Sequence, residues 1–205
     1  FAMFFFNTLY VQRVLGFSPV QAGFAFVPFT AGVIIGAGLS QRLVPALGAR
    51  EVPVIGAALG AVGLLTFLRL TPDSSYVSDL LPGIMLVSIG MGLVFVPITL
   101  IATSGVPVDD AGLASGLFNT SQQIGGALGL ALLSTLATNR TTDELSTVAG
   151  PPSAADQSEA LVSGFHVTWA ASAILLVAGG ALLLLLLRRR DVAAVSHGEA
   201  ATVPV

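Results

Sequence analysis

Between Gly112 and Gly129 the chain reads GLASGLFNTSQQIGGALG, placing one Asn and two adjacent Gln among glycines and apolar residues. An amide carries both donors and an acceptor, and left bare in hydrocarbon it costs on the order of several kcal/mol. On a helix advancing roughly 100° per residue, Ser115, Asn119, Gln122 or Gln123, and Gly126 fall along one stripe. Three uses are open to such a stripe: hydrogen bonds to a neighbouring helix, contact with a substrate, or a gate that closes by amide-to-backbone bonding near Asp109 and Asp110. Two further segments place adaptable side chains at helical spacing, Met3, Asn7 and Tyr10 in one and Met91 and Phe95 in the other. Thioethers repack cheaply and ring faces attract cations, so these residues suit a site that accepts many amphipathic shapes; core packing is their other use. The cavity-lining candidates are therefore Asn7, Tyr10, Met91, Phe95, Asn119 and Gln123.

Other chemistry is excluded by residue type. The chain has no Cys and only two His, which removes disulfides and thiolate metal sites. No H-E-x-x-H, G-x-S-x-G or P-loop pattern is present, and nothing positions Ser115 with His166, so neither an enzyme, a cofactor nor a metal is expected. No Asp, Glu or Lys lies in the central part of any apolar run, so a proton-coupling carboxylate is not visible here. His166 sits at the start of an apolar run and reads as a boundary residue. The sequons at Asn119 and Asn139 are read as chance.

These side chains need helices in a bilayer to hold them. Hydrophobic residues make up 54% of the 205 and charged residues 9%, far below the quarter or so charged residues of a soluble domain. All eight basic residues are Arg and the net charge is -3, which gives no basic patch for nucleic acid. Apolar runs suited to membrane helices occur at about 20–41, 52–70, 80–105, 111–138 and 164–187. The opening FAMFFFNTLYVQ is about a dozen residues long, short of the roughly 20 that span a bilayer, and carries no features of a signal peptide. It is expected to be the end of a truncated first helix, about 1–12. The expectation is an all-α, multi-pass six-helix bundle over 1–190 with a disordered tail at 191–205. Arg42, Arg50, Arg188, Arg189 and Arg190 fall on one side if spans alternate, against Arg13, Arg69 and Arg140 on the other. That bias of five to three puts the C-terminus in the cytoplasm. The third and sixth runs shelter few polar groups and are expected on the outside of the bundle. Gly32 and Gly36, Gly56 and Gly60, Gly112 and Gly116, and Gly125 and Gly129 are each four apart, a spacing for close helix contact, with Gly126 beside them. The polar stretch from Asn139 to Ser163 reads as a long connection, and Pro97 as a bend in the fourth run.

The stretches FSPVQAGFAFVPFTAGVIIGAGLSQRLVPALGAR and AGLASGLFNTSQQIGGALGLAL resemble the C-terminal half of a major facilitator superfamily transporter, of the fourteen-helix drug:proton antiporter kind. In the loop after the second run Leu43, Gly48 and Arg50 match the family's signature, while Pro45 stands where its Asp would be, which puts a gating role for this loop in doubt. Arg42 and Arg50 serve equally well as topology anchors. The resemblance implies a three-plus-three inverted repeat with a substrate path near the midplane between this half and an N-terminal half. It places the first and fourth helices on the cavity, the second and fifth beside it, and the third and sixth against lipid. It further implies proton-coupled multidrug efflux across a bacterial plasma membrane, with lipid, a small molecule and protons as partners and the coupling carboxylate in the absent half. An exporter of one metabolite, or a scaffold that assembles with another chain, would leave the same residues.

Overall fold

The computed structural model describes residues 1–103 and 106–187; Ser104, the Arg188–Arg190 triplet and the tail at 191–205 lie outside them. Seven α-helices are present, α1 (Ala2–Leu9), α2 (Pro19–Ala25), α3 (Val27–Leu47), α4 (Glu51–Thr66), α5 (Leu81–Thr103), α6 (Ala111–Ser146) and α7 (Ala154–Leu186), and no strand occurs among the described residues. The chain is an all-α membrane protein. Pro19–Leu47, Glu51–Arg69, Tyr76–Ala102 and Ala154–Leu186 are each long and apolar enough to cross a bilayer. α6 is longer than any of them at 36 residues, and its amides and hydroxyls keep it out of that apolar class.

Local sequence explains the ends. Ser18 caps α2, its hydroxyl accepting from the Gln21 backbone N–H at 3.3 Å while the Gln21 side-chain Oε1 accepts from the Ser18 N–H at 2.9 Å. α2 and α3 form one bent rod broken at Phe26, just before Pro28 removes a helical N–H. α3 ends at Gly48, whose φ of 110° suits glycine far better than a residue with a Cβ. α5 runs through Pro97 as a single helix.

The connection expected between 139 and 163 is mostly helix, because α6 continues to Ser146 and α7 begins at Ala154. Ser153 and Asp156 form a capping box that starts α7, and Arg140 bonds Glu144 one turn on. At 36 and 33 residues these helices are about 54 and 50 Å long, well beyond the roughly 30 Å hydrocarbon core.

α5 is gripped between α3 and α4, where glycines let backbones meet. A Cβ on Gly36 would lie 2.2 Å from the Ile89 carbonyl oxygen, and one on Gly90 2.5 Å from that of Gly56. These contacts leave 50% of the α4 apolar window buried, against 17% for α7. α4 shelters its glycine face against α5 while Ile55, Val62 and Leu65 on it stay exposed. α7 packs on α4 and α6, and α1 touches α6 and α7.

The main core centres on Trp169, fully buried, with ring centroids of Phe67 at 5.3 Å, Phe165 and His166 at 5.9 Å and Tyr10 at 6.0 Å. A second cluster joins Val44, Ala49, Val52 and Leu93 at the other end.

Candidate functional site

The amide stripe lies on the first half of α6, and this half is almost bare. Ser115, Asn119 and Gln123 are exposed, and neither they nor Gln122 form a hydrogen bond among the described residues. Gly112, Gly116, Gly125 and Gly129 would meet nothing within 4 Å of an added Cβ, so the packing expected of them is not made within the described chain. A Cβ on Gly126 would lie 2.5 Å from the Phe1 ring. α6 thus turns polar groups and small residues away from its own bundle.

Two of the cavity candidates are enclosed. Asn7 and Tyr10 have no exposed surface. The Asn7 amide nitrogen and oxygen have no partner, and the Tyr10 hydroxyl donates to the Thr71 carbonyl at 2.7 Å. Both lie in the core of the described bundle, where α1 packs against α7 and leads into a π-helical turn at Tyr10–Val14. Met91 and Phe95 are open, 42% and 47% exposed. Met91 shares a cleft of about 400 Å³ with Phe1, Gly125, Gly126, Gly129 and Ser172. The cleft therefore joins α5 to the glycine-rich part of α6, while Asn119 and Gln123 are not among its lining residues.

The polar ends are tied by specific bonds that residue spacing did not reveal. Near the α4–α5 connection His166 Nε2–H donates to the Leu70 carbonyl at 2.9 Å, beside the Tyr10 bond. Tyr76 donates from its hydroxyl to the Ala25 carbonyl at 2.5 Å. At the other end the Arg50 guanidinium donates to the Leu184 carbonyl near the end of α7, a favourable place for a cation beside a helix C-terminus. Arg42 is exposed. The loop carrying Gly48 and Arg50 and the C-terminal end of α7 therefore share one end of the bundle. No group of acidic, His or Cys side chains suited to a metal is found among the described residues.

Membrane-length helices joined by glycine contacts, with a polar-faced helix left open on one side, define a multi-pass integral membrane protein. The chain belongs to the Major Facilitator Superfamily, whose family model matches residues 1–130. It is 46% identical over 138 residues to the cephamycin export protein of Amycolatopsis lactamdurans, covering 65% of this chain and 28% of that protein. It is 40% identical over 145 residues to a puromycin resistance protein of Streptomyces alboniger, covering 69% and 29%. It is 35% identical over 139 residues to the tetracenomycin C resistance and export protein of Streptomyces glaucescens, covering 68% and 26%. The matched region spans less than a third of each of these relatives.

Proposed function

We propose that this chain forms the C-terminal half of a proton-coupled exporter that expels small amphipathic molecules, antibiotics among them, by rocking against a preceding half. The observation that carries the reading is the similarity to three proteins named for antibiotic export or resistance. The open face of α6 supports it, since unpaired amides in a membrane helix need water, substrate or a second bundle beside them. Asn119 and Gln123 on that face, with Met91 and Phe95 on the adjoining α5, are the proposed contacts. The protein acts as a carrier, with the coupling carboxylate outside this chain, in the bacterial plasma membrane, and with its C-terminus in the cytoplasm.

The test is expression of the full-length gene in a bacterium stripped of its own efflux pumps. Energised ethidium efflux that collapses with a protonophore is the expected result. Protein in the membrane with no energised efflux and no resistance to any antibiotic tried would overturn the reading. A second reading, export of one compound, is favoured by the single antibiotic in each of those relatives' names. It predicts resistance to one member of the panel only.

A further inference from the structure

A second groove lies between α1, α6 and α7, away from the Met91 cleft. Its volume is about 360 Å³, within the range of roughly 300–1,000 Å³ usual for small-molecule sites. One side is aromatic, with Phe5 and Phe6 from α1 and Phe165 from α7. The Phe6 and Phe165 rings lie 5.9 Å apart, and Phe5 stands edge-on to Phe6 at 86°.

The other side is α6, which contributes Ser134, Thr138 and Thr142, spaced four residues apart and so carried on one helix face. Ser and Thr within helices commonly donate to the carbonyl four residues back. On α6 itself Thr120, Ser121 and Thr135 do so, at 2.8, 2.8 and 2.9 Å. Ser134, Thr138 and Thr142 form no hydrogen bond among the described residues, whereas their neighbour Thr141 donates to the Ala160 carbonyl at 3.2 Å. Three uncommitted hydroxyls thus share the groove with three aromatic rings, of which Phe5 is open and Phe6 and Phe165 are set into the core behind it.

Charge narrows the occupant. No Asp, Glu, Arg, Lys or His lines the groove. Along α6, Arg140 and Glu144 bond each other and both engage Ser163 at 3.0 Å, while the exposed Asp143, next to Thr142, is not among the lining residues. A cation would find ring faces but no carboxylate, and an acyl chain would leave the hydroxyls unpaired.

We propose that this groove binds a neutral, flat aromatic molecule with hydrogen-bond acceptors along one edge, and that Ser134, Thr138 and Thr142 select for that edge by donating to it. The proposal rests on the exporter reading and adds a substrate class and the residues that discriminate. The family match ends at residue 130, before all three hydroxyls, so family membership does not carry it.

The experiment uses the full-length protein in lipid nanodiscs and two probes, a neutral dihydroxyanthraquinone and cationic ethidium, with binding read by fluorescence and export read in cells. Replacing the three hydroxyls together (Ser134→Ala, Thr138→Val, Thr142→Val) is expected to weaken quinone binding about tenfold or more, since each hydrogen bond lost is worth a few-fold. Ethidium export should stay within about twofold under the same selectivity. Thr138→Ser, which keeps the hydroxyl, should retain quinone binding, as should Thr135→Val, whose wild-type hydroxyl is held by Ala131.

Unchanged quinone affinity in the triple variant, an equal loss for both probes, or a wild-type protein that binds no quinone would each overturn the proposal. So would co-purified phospholipid that occupies the groove and is not displaced by the quinone. Hydroxyl-dependent quinone binding by a protein that exports neither probe would sink the exporter reading and leave the groove standing. Export of both probes with no hydroxyl dependence would do the reverse.

Discussion

Asn7 is an amide with no exposed surface and no partner for either polar atom, one turn away from Tyr10, whose hydroxyl is satisfied by Thr71. The two make opposite predictions at the scale of a single residue. A buried polar group without a partner costs about 1–3 kcal/mol, so Asn7→Leu, of nearly the same size, should raise the melting temperature of the full-length protein in detergent. A fall would mean that the amide is hydrogen-bonded. Tyr10→Phe should instead destabilise by about 0.5–1.5 kcal/mol, because it removes the donor that holds the Thr71 carbonyl. No change would mean that water replaces the hydroxyl there. Residue spacing identified both side chains as notable but could not tell lining from core. Helical periodicity says which residues share a face, and only the neighbouring helices decide whether that face is covered.

Among the elements, glycine pairs of identical spacing do different things. Gly36 approaches Ile89 backbone to backbone, while Gly112 meets nothing. Gly36→Ala would push α3 off α5, at a cost of about 1–3 kcal/mol typical of overpacking. Gly112→Ala should be neutral or stabilising, since Ala is the better helix former by about 1 kcal/mol. The yield of monodisperse full-length protein from detergent separates the two cases; equal yields would mean that the α3–α5 contact yields without penalty. Four of the five apolar runs read from the sequence are membrane-length apolar helices, because length and composition settle them, while the fifth, 111–138, falls in the more polar α6. Which glycine pairs touch was not legible in the sequence, since four-residue spacing is common in a chain with 23 Gly. The extension of α6 and α7 past the bilayer was misread as a connection on polarity alone. Its signals, the Ser153–Asp156 capping box and the Arg140–Glu144 spacing, are present in the sequence.

For the whole molecule, the bonds at the two ends of the bundle set up a test of orientation. Arg50 on Leu184 draws the α3–α4 loop and the C-terminal end of α7 to one end, and Tyr10 and His166 gather the α4–α5 connection at the other. Positive residues favour the cytoplasmic side, which predicts the Arg42 and Arg50 end inside and the Asp73 turn outside. The chain has no Cys, so single introduced thiols on a full-length background freed of any others report their own position. Asp73→Cys should react with a membrane-impermeant maleimide in intact cells. Leu47→Cys, at a position 49% exposed at the end of α3, should react only after permeabilisation. The reverse pattern would invert the bundle and place the C-terminus outside. Labelling of both in intact cells would overturn the placement of the two positions on opposite sides.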